Sequence, residues 1–306
     1  MTTLVFGHKS PDTDSTGSPI IWSWYLNQIK GVEAKPILLG EPNTEALFVL
    51  DRWSLQKPEI ISDLAADTPV VIVDTNNPAE LPDNINDADI KGIIDHHALV
   101  GGLKTKGPID IRIERLACTA TIMWKMIGKD VAQMPPAIQG AMLSCILSDT
   151  LEFRSPTTTN EDKAIAWDLA QALDINISEY ASEMFAAKSD VSAFSEAELL
   201  RMDSKEYEVG GKQFRVSVLE TTSPKMVLDR KEALMAAMPG VASDDGADQV
   251  LLFVVDILNE EATLLVPNDL VKSVAEQSFD VAVSGDTVVL PGVMSRKKQI
   301  IPNLKV

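Results

Sequence analysis

The chain has 306 residues, 45% of them hydrophobic, and a formal net charge of −18. Such an acidic balance argues against a nucleic-acid partner, because that affinity comes from neutralising phosphates; an anionic substrate would need a local source of positive charge, which metal ions could supply. No apolar run approaches the roughly 18 residues of a membrane span, no basic leader precedes an apolar N-terminal segment, and Cys118 and Cys145 fit neither a disulfide framework nor a CxxC metal pair, so the chain reads as cytoplasmic with no membrane partner.

The length exceeds the usual single-domain mode and predicts two domains. Residues 3–6 (TLVF) read as a buried strand running into GHKSPDTDS, which crowds His8, Asp12 and Asp14 together. Pro11 disfavours an early helix start and predicts both aspartates on the loop above the strand. Helices are expected near 17–30 and 44–54. A second apolar run, 70–73 (VVIV), ends in Asp74, and a third, 90–94, ends in Asp95-His96-His97. Helices are again expected near 117–128 and 136–148. The latter leads into SDT and puts Asp149 at a helix C-terminus, where the macrodipole disfavours an anion by up to about 1 kcal/mol. A cation nearby would remove that objection.

The segment 157–173 predicts a helix, with Thr158 and Glu161 at capping-box spacing and Ile165, Leu169 and Leu173 recurring every four residues. Residues 186–198 are small, polar and weakly patterned, which places a domain boundary there. Beyond it, strands are expected at 212–220, 249–258, 261–266 and 286–294, with helices at 229–238 and 268–278, forming a smaller α/β unit. The first half alternates strands with helices, the pattern of a largely parallel, doubly wound sheet.

In such a sheet the carboxyl ends of the strands line the ligand crevice. His8, Asp74 and His96 then share one edge although they are far apart in sequence. A lone aspartate at a strand end is ordinarily a turn former or helix cap. Here, however, the chain's three histidines, 8, 96 and 97, all lie at strand ends beside aspartates. His8, Asp12, Asp14, Asp74, His96 and Asp149 form a mixed oxygen and nitrogen donor set, which suits Mn2+ or a similar divalent ion. Six ligands exceed what one ion takes while leaving room for water, so two ions sharing a carboxylate, roughly 3.5–4 Å apart, is the expected arrangement. The densest basic cluster, Arg296-Lys297-Lys298, fits a strand edge guarded by lysines, and beside a phosphoryl site it also fits an anion grip. Lys205 is a further candidate.

The stretches GHKSPDTDS, VDTNN, DHH and SDT resemble the four N-terminal motifs of the DHH phosphoesterase superfamily, and SRKKQ resembles the C-terminal signature of its family II, manganese-dependent inorganic pyrophosphatases. The resemblance implies a DHH domain over 1–188, a linker over 189–196 and a smaller DHHA2 domain with a mixed sheet over 197–306. It further implies that His8 and Asp12 bind one Mn2+, that Asp14, His96 and Asp149 bind a second, and that Asp74 bridges them, with Co2+ as an alternative metal. His97, Lys205, Arg296 and Lys297 would act as catalytic and substrate-binding residues on pyrophosphate carrying Mg2+. The subunits would pair as a homodimer through the N-terminal domain. The implied reaction is hydrolysis of pyrophosphate to two phosphates, with an exopolyphosphatase or another phosphoesterase of the superfamily as the alternative. Many members carry His-Asn-Glu after the bridging aspartate, where this chain has Thr75-Asn76-Asn77, a difference that bears on metal preference.

Overall fold

A computed structural model describes the whole chain apart from the Lys297 side chain. The chain divides into two compact units, Met1–Lys188 and Ser189–Val306.

In the first unit β1 (Thr3–Phe6), β2 (Ala34–Leu38), β3 (Glu59–Ile60), β4 (Pro69–Val73), β5 (Asp89–Asp95) and β6 (Asp110–Ile113) form one sheet in the order β3-β2-β1-β4-β5-β6. Every pairing is parallel. The chain winds outward from β1 in one direction and restarts beside it at β4, so the topological switch point lies between these two strands. Strands of a parallel sheet are covered on both faces and read as unbroken apolar runs, which is why β1, β4 and β5 were legible. The sequences of β2 (AKPIL), β3 (EI) and β6 (DIRI) carry charge or proline and gave no such signal.

The helices of this unit are α1 (Thr13–Gln28), α2 (Thr44–Arg52), α3 (Thr119–Ile127), α4 (Pro136–Asp149), α5 (Asn160–Leu173) and α6 (Ile177–Lys188). Helices α1 and α4 pack closely: a Cβ on Gly17 would lie 2.4 Å from Cys145 Sγ. Helix α5 starts later than expected, and its capping box is Thr159 with Asp162 rather than Thr158 with Glu161. The run TTTNED offers both registers, and tertiary bonds select one. Asp162 is fully buried, and besides its cap it accepts the Ala117 N–H and the Thr121 hydroxyl. Helix α6 had no counterpart in the sequence reading and extends through residues 186–188.

A polar network ties α2, α4 and α6 together. Trp53 Nε1 donates to Tyr180 Oη at 2.7 Å, and Tyr180 Oη lies 2.6 Å from Ser144 Oγ. Ser144 in turn donates to the Gly140 carbonyl at 2.6 Å. Gly140 has to be glycine for this, since a Cβ there would stand 2.1 Å from the Trp53 ring.

The second unit comprises α7 (Glu196–Arg201), β7 (Ser204–Val209), β8 (Lys212–Thr221), α8 (Pro224–Leu228), α9 (Lys231–Asp244), β9 (Gln249–Asp256), β10 (Glu261–Leu265), α10 (Asp269–Phe279), β11 (Thr287–Pro291) and α11 (Ile301–Asn303). Its sheet runs β11-β10-β9-β8-β7, with β8 and β9 parallel and the other pairs antiparallel. Strand β9 is buried throughout, and its alternating side chains feed two cores. Leu251, Phe253 and Val255 pack with α10, while Val250, Leu252 and Val254 pack with α9. Among the described residues no helix is long and apolar enough to cross a membrane.

Burial pushes the Tyr180 hydroxyl up to about 12, against an ordinary value of about 10. A group whose folded value is raised contributes stability that is complete below about pH 10 and disappears as the pH climbs through 12. We expect the wild type to lose about 2–3 kcal/mol more over that interval than Tyr180→Phe, read from denaturant melts at pH 9 and pH 12. Parallel pH profiles for the two proteins would refute this.

Candidate metal centre

Strands β1, β4 and β5 deliver their chemistry to the same edge of the sheet. After β1, Gly7 leaves space for Ser15, whose Oγ would stand 2.0 Å from a Cβ at that position. Ser15 Oγ accepts the His8 N–H at 2.8 Å and so fixes the loop. Asp12 and Asp14 do not both lie on that loop. Asp12 is the N-cap of α1 and Asp14 sits in its first turn, buried. Pro11 ends before the helix instead of delaying it, and a carboxylate at the cap together with an acidic first turn favours an immediate start. The two oxygens of Asp12 divide their work: Oδ1 accepts the Ser15 N–H at 2.9 Å, while Oδ2 lies 3.9 Å from His8 Nε2.

Asp14 is held from two sides, by the Ser18 hydroxyl at 2.6 Å and the Thr119 N–H at 2.7 Å. Asp74 follows β4 in a left-handed conformation with φ 57°, tolerated by aspartate and typical of strained functional positions. The surrounding structure enforces it, for the Asp74 N–H bonds the Ile94 carbonyl at 2.9 Å. Asp74 Oδ1 lies 3.3 Å from His96 Nε2 and also accepts the Thr119 hydroxyl at 3.1 Å. Its other oxygen, Oδ2, lies 3.5 Å from His8 Nε2. Asp149 ends α4, with Oδ2 3.9 Å from His96 Nε2.

The fold thus brings all six donor residues together. Donor atoms of His8, Asp12 and Asp74 lie within 4.8 Å of one another, and so do those of Asp14, His96 and Asp149. A third such group joins Asp74 to His96 and His97. Burial, reinforced by neighbouring carboxylates, holds the Asp74 and Asp149 carboxyls well above the usual range. Burial likewise lowers His96, favouring the neutral imidazole a metal needs. Asp149 Oδ2 is buried and has no geometric hydrogen-bond partner among the described residues. Crowded anions with an orphaned oxygen are what divalent cations would satisfy, so the residues fit a pair of such ions. Burial raises the Cys118 and Cys145 thiols well above their ordinary values, so both stay protonated and offer no thiolate.

His97 is half exposed, and its Nδ1 lies 2.8 Å from Asp95 Oδ1. That hydrogen bond raises His97. Burial works to raise Asp95, but its bonds from His97 and Asn76 prevail and lower it. In the sequence Asp95 is simply the residue that ends the third apolar run; in the fold it orients His97. Asn76 clamps the same loop. Its Nδ2 donates to Asp95 Oδ2 at 2.5 Å and to the Ala98 carbonyl at 3.1 Å, while its Oδ1 accepts the Val100 N–H at 2.8 Å. Thr75 Oγ1 donates to Glu80 Oε2 at 2.6 Å.

In the second unit Lys205 and Arg296 line a cavity of about 600 Å3 with Asp203, Tyr207 and Ser295. Arg296 is held in place by the Asp203 carbonyl at 2.6 Å and its Oδ1 at 2.7 Å. The Lys297 side chain lies outside what the structure describes.

Residues 2–148 match the family model of the DHH N-terminal domain, and residues 182–306 match that of the DHHA2 domain. A relative from Deinococcus radiodurans, named a probable manganese-dependent inorganic pyrophosphatase, is 39% identical over 306 residues, covering 98% of this chain and 97% of its own length. One of the same name from Lactobacillus helveticus is 35% identical over 303 residues, with 98% and 97% covered. A crystal structure from Methanococcus jannaschii, assigned to the family II inorganic pyrophosphatases, is similar with TM-score 0.62 and 33% identity, covering 99% of this chain and 98% of that one. An exopolyphosphatase-related protein from Bacteroides fragilis, TM-score 0.52 and 13% identity over 98% of this chain and 89% of its own, shares the fold.

Removing the Asn76 side chain would strip a partner from buried Asp95 and release the loop at Ala98 and Val100. We expect Asn76→Ala to lose about 1–3 kcal/mol of stability in urea unfolding. A loss below about 0.5 kcal/mol, the range of an ordinary surface substitution, would contradict the clamp.

Proposed function

Because the chain belongs to the manganese-dependent, family II inorganic pyrophosphatases, we propose that it hydrolyses pyrophosphate to two phosphates at a dinuclear manganese centre. The observation that carries this reading is Asp74, whose two oxygens face different histidines, His8 and His96. In this reading His8 and Asp12 would hold one Mn2+, Asp14, His96 and Asp149 would hold the other, and Asp74 would serve both. Such ions supply Lewis acidity, making water acidic enough to be a nucleophile at neutral pH and offsetting charge on phosphoryl oxygens. Co2+ is the alternative metal.

The chain's own groups do the remaining work. Thr119 donates to both Asp14 and Asp74, so the N-terminus of α3 orients two of the carboxylates. Asp95 occupies His97 Nδ1 and leaves Nε2 to meet the substrate. His97 or Lys205 hands a proton to the leaving phosphate. Lys205, Arg296 and Lys297 hold the phosphate oxygens, Arg296 with a planar fork suited to two oxygens at once. Pyrophosphate enters with Mg2+. Residues 1–188 form the catalytic domain, 189–196 the linker and 197–306 the substrate-binding domain.

We infer a homodimer formed through the N-terminal domain. Strand β6 is a sheet edge with Ile111 54% exposed, and Trp22, Leu26, Val32 and Met126 line an apolar cavity of about 620 Å3 beside it. An uncovered edge of this kind invites pairing. A cytoplasmic location accords with two free, buried cysteines, and a charge of −18 disfavours nucleic acid.

The deciding assay is phosphate release from pyrophosphate, tripolyphosphate and a dinucleotide after chelation and return of Mn2+, Co2+ or Mg2+. Pyrophosphate with Mn2+ should be fastest, and a preference for either other substrate would overturn the assignment. In the same assay Asp74→Ala should fall to background while remaining folded by circular dichroism. Near-normal turnover in that variant would remove Asp74 from the centre.

A further inference from the structure

Glu45, in the first turn of α2, is fully buried and has no part in the chemistry described above. Its Oε1 accepts two hydroxyl hydrogen bonds, from Thr13 at 2.5 Å and from Ser148. Thr13 stands between Asp12 and Asp14 at the start of α1, and Ser148 immediately precedes Asp149 at the end of α4. One carboxylate oxygen therefore joins the two helix ends that carry Asp12, Asp14 and Asp149. The other oxygen, Oε2, has no hydrogen-bond partner among the described residues and lies 3.8 Å from Lys188 Nζ at the end of α6.

Packing alone gives no reason for this residue. A buried carboxylate is expensive to desolvate, and a well-packed apolar side chain often serves stability as well or better. What a carboxylate adds is an acceptor able to hold two donors from different helices in one geometry. We propose that Glu45 is a positioning residue, a staple that fixes the spacing of Asp12 and Asp14 relative to Asp149 and thereby sets the affinity of the centre for manganese. The inference rests on the dinuclear reading above. Partners that hold ligands in orientation typically account for ten- to a hundred-fold in metal affinity. Cys145 Sγ, 3.4 Å from the Thr13 carbonyl, adds a second tie between α1 and α4.

The test is Mn2+ titration of the metal-free, full-length protein, followed by calorimetry and by the electron paramagnetic resonance signal of free Mn2+, with phosphate release in parallel. Glu45→Ala should weaken Mn2+ binding roughly ten- to a hundred-fold. Glu45→Gln, which keeps an acceptor oxygen, should recover most of that affinity. Ser148→Ala should weaken binding by itself and add little in the Glu45→Ala background, the non-additivity expected within one network. At saturating Mn2+ the KM for pyrophosphate should stay within about twofold of wild type, since Glu45 does not touch substrate. A folded Glu45→Ala protein with wild-type Mn2+ affinity overturns the staple, as does a Glu45→Gln protein as weak as Glu45→Ala. If Glu45→Ala fails to fold, Thr13→Val and Ser148→Ala decide, and wild-type affinity in both overturns it. Wild-type protein that takes up no Mn2+ would instead overturn the dinuclear reading and the staple with it.

Discussion

Negative charge concentrated at the switch point between β1 and β4 is the constraint around which the first unit is arranged. Two unit charges 4 Å apart repel by about 4 kcal/mol at the effective dielectric of a protein near its surface. Asp12, Asp14, Asp74 and Asp149 converge there, and the fold answers with donors and helix ends. The N-terminus of α1 receives Asp12 and Asp14, and that of α3 presents Thr119 to Asp14 and Asp74. Positive helix ends and charge-assisted hydrogen bonds are the means available without placing a lysine in the site. Asp149 has the opposite situation. It lies at the C-terminal end of α4, where the dipole opposes it, and among the described residues one of its buried oxygens has no hydrogen-bond partner. Burial and its carboxylate neighbours hold Asp149 well above the usual range, as they do Asp74, and a cation would relieve both.

The fold class was legible because β1, β4 and β5 are covered on both faces, and only continuous apolar runs survive such coverage. Strand β2 was not, since its Lys35 and Pro36 break the run, and β6 exposes most of its residues at the sheet edge. Helix α5 shows a subtler limit. Its capping spacing was readable, but the sequence holds two equivalent registers, and only the contacts of Asp162 with Ala117 and Thr121 choose between them. Local signals name an element; distant partners place its end.

The candidate site divides in the same way. His8, Asp74 and His96 could be read because strand ends concentrate chemistry on one edge, a rule of topology that needs no contact information. Asn76, Thr119 and Glu45 could not, because each acts through bonds spanning 19 to 105 residues, and Asp95, although it reaches His97 only two residues on, is seated by distant Asn76. In isolation Glu45 looks like an ordinary acidic residue in the first turn of a helix capped by Asn43. Asp12 bridges the two kinds of legibility. Helix cap and candidate ligand are alternative readings of a sequence, yet its two oxygens serve both, and the cap fixes the side chain so that the second oxygen points at His8.

The segment Thr75-Asn76-Asn77 follows from the same economy of positions. Thr75 and Asn76 are buried directly beyond Asp74, yet neither side chain bonds the four central carboxylates. Asn76 instead spends its amide on Asp95 and the loop behind His97, and Thr75 turns to Glu80. A substitution here therefore reaches the centre in two steps, through the seating of Asp95 and then the orientation of His97. Metal preference is set by donors and by the groups that orient them. On this geometry the segment bears on how His97 is presented before it bears on which ion is held.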